Sequence, residues 1–316
     1  MRRSMILGAA GFIGTNLAIK LAKLEQENII LVDQNIDYFD HIKKMNLPNV
    51  EMKEVSFSQG FDFDNLLEGV DVLYHLVSTS IPATSNQHIP QEIMDNVVFS
   101  ALLFDACVRQ NVKEIVFISS GGTVYGKANI WPIKEDFPTF PISSYGLQKI
   151  TIEKLLHVYY YMYDLDYRII RLANPYGPYQ RPNSGLGVVT TFTYKALKDE
   201  KVIVYGDGTV IRDFVYIEDA IDAIIKIVDI KKEYKIYNVG SGKGTSIIEL
   251  INIIEKILGV KMKIGYEKER KVDVPVNILD VSRYEKQFGE IVHTSFEEGI
   301  MKTADYLKET VLREYL

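Results

Sequence analysis

The sequence has few of the residues from which disulfide frameworks and metal sites are usually built. Its 316 residues include one cysteine, Cys107, so no intrachain disulfide can form. This usage suits a reducing compartment, and we expect a cytoplasmic protein. The five histidines, at positions 41, 75, 88, 157 and 293, show no metal-ligand spacing, so we expect no metal site.

Long apolar runs and concentrated positive charge are also missing. No stretch approaches the roughly 20 apolar residues that a membrane-spanning helix needs. Arg2 and Arg3 precede an apolar run that could imitate a signal peptide, but three glycines interrupt it and a helical pattern follows. The net charge is -6, and no basic stripe offers a footprint for nucleic acid. We therefore expect neither a membrane nor a nucleic acid as partner.

The sequence does contain the alternation of short apolar runs and helical patterns that is typical of a parallel sheet covered on both faces. With 47% hydrophobic and 25% charged residues, the composition is that of a globular protein long enough for two domains. We predict an α/β fold: a Rossmann-type, doubly wound parallel sheet in residues 1–173 and a smaller α/β substrate lobe in residues 174–316. Segments such as 205–240 could still return to the first domain.

Periodicity and turn residues locate the individual elements. Strands are predicted at 4–7, 29–32, 51–55, 72–76, 114–119 and 167–171. Helices are predicted at 12–23, 64–68, 90–110, 144–163 and 246–258.

Three glycines stand where the first predicted strand ends and a helix begins. In that position backbone amides can approach a pyrophosphate at the positive end of the helix. An aspartate ends the second predicted strand, where it can accept both ribose hydroxyls of an adenosine and repel a 2'-phosphate. The pattern favours NAD over NADP; the alternative is a tight turn and a surface carboxylate. The predicted cofactor site begins with Gly8, Gly11, Phe12, Ile13, Gly14 and Asp33.

Tyr145 and Lys149 are one turn apart on a predicted helix and therefore share a face. Lowering a tyrosine pKa from about 10 by roughly 3 units requires about 4 kcal/mol. An ammonium ~4 Å away supplies about 4 kcal/mol at an effective dielectric constant of ~20, before screening and desolvation. We predict that the pair is catalytic, with Tyr145 as the base. In a chain with 20 tyrosines, coincidence is the alternative.

Four further segments carry motifs: 119–126 (SSGGTVYG) before the Tyr145–Lys149 pair, and 171–178 (RLANPYGP), 212–215 (RDFV) and 270–275 (RKVDVP) after it. With the glycine turn and the Tyr145–Lys149 pair, they make the chain resemble the extended short-chain dehydrogenase/reductase family over nearly its full length. Within that family it is most similar to the UDP-hexose 4-epimerases. The resemblance implies that NAD transiently oxidises a UDP-sugar at carbon 4, with Tyr145 as base and Lys149 holding the cofactor ribose and lowering the tyrosine pKa.

The resemblance also assigns roles to matching positions. Asn174 would contact the sugar diphosphate, Arg212 the phosphates, and Arg270 with Asp273 the nucleotide end, while Asn96 would support the catalytic region. The further cofactor residues are Ser56, Leu76, Val77, Asn96 and Ser119. The substrate residues are Ser120, Gly121, Thr123, Asn174, Val188, Arg212, Arg270, Asp273 and Asn277.

Three positions depart from the family pattern. Gly121 stands where the family usually has a catalytic serine or threonine. Thr123 or Ser120 could supply the substrate hydrogen bond instead, and we predict Thr123; the alternative is that Thr123 only packs in its loop. Ser56 stands where an acid that contacts adenine is expected, and it could still accept from the exocyclic amine. The segment 75–78 (HLVS) replaces a smaller, alanine-rich turn beside the cofactor, and we interpret His75 as structural.

The absence of acidic residues at positions 122 and 123 helps to distinguish between the reactions of this family. Related 4,6-dehydratases carry an acid pair there, because elimination of water needs an acid and a base. Gly122 and Thr123 provide neither, which favours 4-epimerisation. The alternatives are a dehydratase or reductase with an altered site, and a catalytically silent binder of sugar nucleotide or NAD. The resemblance also bears on the sugar: the epimerases have a bulky aromatic four residues after the aspartate that matches Asp273, and it blocks N-acetylated sugars. Here that residue is Asn277, so we expect UDP-GlcNAc/UDP-GalNAc as substrates as well as, or instead of, UDP-Glc/UDP-Gal.

The predicted helices 90–110 and 144–163 are apolar and aromatic on wide faces, including Tyr159, Tyr160 and Met162. Family members pair through these two helices, so we expect a homodimer formed by a four-helix bundle. The alternative is that the tyrosines only cover the sheet.

Overall fold

The computed structural model describes residues 1–57, 60–182, 185–230, 233–291 and 293–312. Its main sheet has the strand order β10-β6-β5-β4-β1-β2-β3. Each predicted strand forms within two residues of its expected bounds, and the predicted Rossmann-type fold is confirmed. The strands are β1 (Arg2–Leu7), β2 (Glu27–Asp33), β3 (Val50–Glu54), β4 (Val72–His75), β5 (Glu114–Ser120), β6 (Asp166–Leu172) and β10 (Ile236–Val239).

The order of these strands places a ligand site at one end of the sheet. The pairs β1–β2, β2–β3, β1–β4 and β4–β5 are all parallel. From β1 the chain moves outward to β3 and then returns to the other side of β1 with β4. Such a reversal opens a crevice at the carboxyl ends of the two central strands. Gly8 follows β1 and Leu76 follows β4, so both lie at this point.

Apolar runs form the central strands because both faces of the sheet are covered. Met5, Ile6 and Leu7 of β1 are fully buried, as is Leu73 of β4. Burial of each such side chain contributes roughly 1.5–3 kcal/mol relative to exposure. The covering helices are α1 (Phe12–Leu24), α2 (Asp40–Lys43), α3 (Phe63–Leu67), α4 (Ile89–Ile93), α5 (Phe99–Arg109) and α6 (Ser144–Tyr163).

The helix predicted over 90–110 is interrupted. A π-helical turn, Met94–Val98, separates α4 from α5. Asn96 lies in this turn, and its Nδ2 donates to the carbonyl oxygen of Glu92 at 2.9 Å. Wider turns of this kind are often found at functional sites.

After β6 the chain adds shorter strands and further helices. Here β9 pairs with β7, β11 and β13, and β8 pairs with β12. The strands are β7 (Asn174–Tyr176), β8 (Val202–Tyr205), β9 (Ile211–Tyr216), β11 (Gly244–Ser246), β12 (Ile264–Glu267) and β13 (Val276–Asn277). The helices are α7 (Val188–Leu197), α8 (Ile217–Asp229), α9 (Ile247–Leu258), α10 (Ser282–Phe288) and α11 (Phe296–Tyr306).

Local sequence explains the bounds of α9, which was predicted. Ser246 caps its N-terminus by accepting from the Glu249 amide, and the Glu249 side chain accepts from the Ser246 amide. Gly259 ends the helix with a φ of +66°. A capping box and a left-handed glycine are the usual start and stop signals of a helix.

The chain forms two compact units. The first consists of Met1–Ser119, Ser144–Ile170 and Ile227–Ile236, and the second of Ser120–Ser143, Arg171–Lys226 and Tyr237–Leu316. Segment Ser120–Ser143 thus belongs to the second unit, whereas the sequence-based division at residue 173 placed it in the first. Ile133 and Trp131 explain this, because their nitrogen atoms donate to the backbone of Ile278 and Val276. Among the described residues, no helix is long and apolar enough to cross a membrane.

Candidate active site

The glycine turn forms a cradle that side chains would fill. Gly8 has a φ of +81°, and a Cβ there would lie 3.1 Å from the Val77 nitrogen. A Cβ at Gly14 would lie 2.4 Å from the Gly8 oxygen. Gly11 is the N-cap of α1 and offers no side-chain cap. The first helical amides therefore lack a side-chain acceptor, which suits a bound pyrophosphate.

Asp33 is fixed beside this turn. Its Oδ2 accepts from the Ala10 amide at 2.9 Å, and its Oδ1 accepts from the Gln34 amide at 2.8 Å. Leu76 and Val77 are half-buried after β4, and Ser56 is exposed after β3. The structure thus brings the glycine cradle, the carboxylate and the residues after β4 together at the carboxyl ends of the strands. These groups fit the pyrophosphate and ribose of NAD.

Tyr145 and Lys149 lie on the first two turns of α6. Lys149 is buried, its Nζ donates to the Ile118 oxygen at 3.0 Å, and Nζ lies 5.6 Å from the centre of the Tyr145 ring. Burial lowers the pKa of Lys149 to about 8, although the Glu153 carboxylate raises it. Burial raises the pKa of Tyr145 to about 12. The expected lowering by Lys149 is therefore not seen in the protein alone, because desolvation of the phenolate outweighs it.

The N-terminus of α6 is capped by side chains from a distant loop. Asn86 Oδ1 accepts from the Ser144 amide at 2.8 Å, and Ser85 Oγ accepts from the Tyr145 amide at 3.1 Å. Asn96, predicted to support this region, is buried and makes two hydrogen bonds with Thr79 of the same loop. Its Oδ1 accepts from the Thr79 amide, and its Nδ2 donates to the Thr79 hydroxyl. Ser85 and Asn86 were not predicted as site residues, although the Ser, Thr and Asn residues concentrated in 78–86 are typical of side chains that bond to backbone amides.

His75 and Ser119 are both buried at the ends of central strands. His75 Nε2 lies 2.8 Å from Ser100 Oγ, and burial lowers the pKa of His75 to about 3. A neutral, hydrogen-bonded histidine agrees with the structural role expected of it. Ser119 Oγ donates to Glu153 Oε1 at 2.5 Å.

In the second unit, the predicted substrate residues Gly121 and Asn277 are in contact. Asn277 is buried, and its Nδ2 donates to the Gly121 oxygen at 3.0 Å. A Cβ at Gly121 would lie 2.4 Å from Leu279 Cδ1 and 3.0 Å from the Arg171 oxygen. The hydroxyl residue that the family usually has here therefore does not fit without movement of Leu279.

Two buried polar atoms near these residues lack hydrogen-bond partners within the described ranges: Thr123 Oγ1 and Asn277 Oδ1. A buried unpaired polar group costs about 1–3 kcal/mol. Both atoms could recover that cost by binding a ligand. Ser120 is half-buried in the same segment, and Val188 is half-buried at the start of α7.

Charged side chains cluster next to these residues, because Arg212 on β9 pairs with Asn277 on β13. The Asp273 carboxylate accepts hydrogen bonds from Arg270 Nε at 2.8 Å and from Arg212 Nη2 at 3.5 Å. The Arg270 guanidinium carbon lies 4.4 Å from the centre of the Tyr205 ring. Burial lowers the pKa of Arg212. Two guanidiniums that share one carboxylate leave net positive charge, which suits a diphosphate; Tyr205 was not identified from the sequence.

Asp213 organises the loops around this unit's short strands and was also missed. It is buried and accepts from the amides of Ser241 at 2.8 Å, Gly242 at 3.2 Å and Leu279 at 3.2 Å. Its neighbour in the sequence motif, Arg212, was the available signal. Asn174 Nδ2 donates to the Asp213 backbone oxygen at 2.9 Å.

Comparison with known proteins identifies the family. The family model described as "NAD dependent epimerase/dehydratase family" matches residues 4–240. A putative UDP-glucose 4-epimerase of Methanocaldococcus jannaschii is 31% identical over 305 residues, covering 96% of this chain and 98% of the relative. A dTDP-4-dehydro-6-deoxyglucose reductase of Escherichia coli is 29% identical over 312 residues, covering 94% and 95%.

A solved structure is similar over the whole fold. The UDP-glucose 4-epimerase of Thermotoga maritima, determined with UDP-glucose, has a TM-score of 0.89 and is 29% identical, covering 98% of this chain and 99% of that one. The family model matches most of the chain, and the matched residues 4–240 include the glycine cradle, Asp33 and the Tyr145–Lys149 pair. The chain therefore belongs to the NAD-dependent epimerase/dehydratase family.

Proposed function

We propose that the protein is an NAD-dependent nucleotide-sugar 4-epimerase that acts on UDP-sugars. The observation that carries this proposal is the Tyr145–Lys149 pair on α6, in which Lys149 is buried and donates to β5, a strand of the same sheet that carries the glycine cradle. Relatives that are named as UDP-glucose 4-epimerases support the reaction class. Bound by the glycine cradle and Asp33, NAD would supply the hydride acceptor and donor for oxidation and re-reduction of the sugar at carbon 4.

Tyr145 moves the proton that accompanies each hydride transfer. As a phenolate it accepts the proton of the 4'-hydroxyl, and as a phenol it returns a proton to the 4-keto oxygen. The pKa of about 12 in the protein alone means that the phenol is the resting form. The Lys149 ammonium favours the phenolate, and the positive charge of oxidised NAD acts in the same direction.

In the second unit, the arginines serve the nucleotide end. Arg212 and Arg270 would bind the diphosphate, with Asp273 orienting both guanidiniums. Gly121 has no hydroxyl with which to bind the sugar. Thr123 would supply this hydrogen bond, because the Thr123 hydroxyl has no other partner in the described structure. Asn277, in place of a bulky aromatic, supports acceptance of a 2-acetamido sugar.

A panel of UDP-, dTDP- and GDP-sugars, incubated with the protein and NAD and analysed by mass spectrometry and NMR, tests the function. Epimers of unchanged mass, formed from UDP-Glc, UDP-GlcNAc or both, are expected. Loss of one water would instead establish a dehydratase, and NADH-dependent gain of two hydrogens would establish a reductase. If only the non-acetylated pair is interconverted, the inference from Asn277 is wrong.

The catalytic base is tested by Tyr145→Phe, for which we expect turnover to fall by roughly 1,000-fold. Tyr163→Phe is the matched control, because Tyr163 is 55% exposed and is the last residue of the same helix. Equal rates for Tyr145→Phe and the parent would remove Tyr145 from the mechanism. Binding of sugar nucleotide without any turnover in the parent would establish a silent binder.

We also propose a homodimer formed through α5 and α6. Leu147, Val158 and Tyr161 are exposed along α6, and Leu102 is exposed on α5. Tyr159 does not belong to this surface, because it is buried and its hydroxyl donates to Asp105 Oδ1 at 2.6 Å. The exposed side chains form an apolar face of the kind that a second copy of the helix pair would cover.

A further inference from the structure

Glu153 is a buried carboxylate for which the mechanism above has no role. It lies on α6, one turn after Lys149, and residues four apart share a helix face. Glu153 is 2% exposed and Lys149 is 5% exposed. A buried charge without compensation is costly, so a carboxylate at this position affects the charge state of the lysine.

Consecutive residues of β5 hold both side chains. The Ile118 oxygen accepts from Lys149 Nζ at 3.0 Å, and the next residue, Ser119, donates its hydroxyl to Glu153 Oε1 at 2.5 Å. The serine hydrogen bond orients the carboxylate and keeps it from turning toward solvent. The Glu153 carboxylate is therefore held one turn from the lysine.

The other titratable groups around this pair are largely neutral. His75 on β4 is buried, and the Lys149 charge contributes to the lowering of its pKa. Tyr145 lies on the same helix with a raised pKa. Burial raises the pKa of Tyr167 on β6, and Glu153 makes a smaller contribution in the same direction. Burial lowers the pKa of Lys149 while Glu153 raises it, so the two effects oppose each other close to physiological pH.

We propose that Glu153 is a positioning residue: a counter-charge anchored by Ser119 that keeps Lys149 protonated, so that the lysine can assist Tyr145 at neutral pH. The catalytic consequence rests on the proposed function of the Tyr145–Lys149 pair. The effect of Glu153 on the charge of Lys149 does not, and it can be measured without any sugar substrate.

The direct test is Glu153→Gln, because the carboxamide has the same shape and can still accept from Ser119. The Lys149 pKa is measured by NMR of protein labelled with 13C at lysine Cε, with the resonance assigned by its loss in Lys149→Arg. For side chains one helical turn apart, whose Cβ atoms are typically about 5–6 Å apart, we expect the Lys149 pKa to fall by about one to two units. The alkaline limb of the kcat profile should move to lower pH by a similar amount, with the KM for sugar nucleotide unchanged.

Two further variants separate charge from packing. Glu153→Asp keeps the charge, so its Lys149 pKa should stay closer to that of the parent. Glu27→Gln is the matched control, because Glu27 is also buried and also accepts from a strand serine, Ser4, but lies at the opposite end of the sheet. It should leave the Lys149 pKa and the kcat profile unchanged.

An unchanged Lys149 pKa in Glu153→Gln overturns the proposal, and so do equal shifts in Glu153→Gln and Glu153→Asp. If Glu153→Gln does not fold, the double variant Glu153→Gln/Lys149→Met should fold, because no unpaired charge remains. Failure of that rescue would show that Glu153 acts through packing. If the parent turns over no sugar nucleotide, the proposed function fails while the NMR result still decides the role of Glu153.

Discussion

Leu279 fills the space that a side chain at Gly121 would need, since its Cδ1 lies 2.4 Å from the position of a Cβ there. The two residues are packed together in the second unit, and Leu279 is fully buried. The glycine and the leucine therefore depend on each other. Restoring the hydroxyl that the family usually has at this position requires a change at both residues.

For Gly121→Ser alone we expect a loss of about 1–3 kcal/mol in the free energy of unfolding, from overpacking. Leu279→Ala alone should cost about 2–5 kcal/mol by opening a cavity. In the double variant the serine occupies part of that space, so its loss should be smaller than the sum by about 1 kcal/mol or more. Urea unfolding measures all three, and strict additivity would contradict the packing relationship.

The role of Thr123 is tested by Thr123→Val, which removes the hydroxyl and keeps the shape. Because Thr123 Oγ1 is unpaired within the described structure, stability should be unchanged or slightly higher. We expect kcat to fall by roughly 100-fold if this hydroxyl binds the sugar. Ser120→Ala is the comparison variant, and a larger loss of kcat there would assign the role to Ser120.

His75 should make the fold sensitive to acid. Its folded pKa of about 3 lies below the ordinary value of 6.5, so the unfolded state binds the proton first as pH falls. Its contribution to stability is present above pH 6.5 and is lost progressively toward pH 3. Between pH 7 and pH 5 the free energy of unfolding should drop by about 2 kcal/mol from this residue.

In His75→Gln, the free energy of unfolding measured in urea should fall by about 2 kcal/mol less than in the parent between pH 7 and pH 5. His157→Gln is the control, because His157 is exposed. If the parent and His75→Gln lose stability equally, His75 does not account for the acid sensitivity.

Arg270→Ala should weaken substrate binding more than it slows the chemistry. The Arg270 guanidinium lies over the Tyr205 ring and donates a hydrogen bond to Asp273. Its motif is far from Tyr145 in the sequence, and the family resemblance assigns that motif to the nucleotide end of the substrate. We expect the KM for UDP-sugar to rise by about 10-fold or more with kcat nearly unchanged. Lys271→Ala makes the same charge change at the next, exposed residue and should have little effect; a fall in kcat alone for Arg270→Ala would argue against this role.

The homodimer is tested by placing charge on the exposed face of α6. Leu147→Lys combined with Tyr161→Lys should convert the parent dimer to monomer in sedimentation velocity, because two copies would bury like charges. Tyr266→Lys changes an aromatic that is 60% exposed in the second unit and should leave the dimer intact. A monomeric parent would contradict the proposal.

Much of the first unit follows from local pattern. The apolar runs predicted all six early strands, and the spacing of Gly8, Gly11 and Gly14 predicted the turn between β1 and α1. Such features depend on side-chain periodicity and on backbone conformations that only glycine adopts readily, so a short window of sequence is sufficient. The π-helical turn at Asn96 broke the predicted long helix because a side chain bonded to the backbone there.

Local sequence patterns are sufficient to predict the Rossmann-type sheet, the NAD cradle, and the shared helix face of Tyr145 and Lys149. Their surroundings emerge only in the folded chain: Ser85 and Asn86 at the start of α6, Glu153 held by Ser119, and Leu279 against Gly121. Burial in the folded chain also raises the pKa of Tyr145, opposite to the expected direction. The reason is that burial and long-range partners depend on segments far apart in the chain, and no local pattern encodes which of those segments meet.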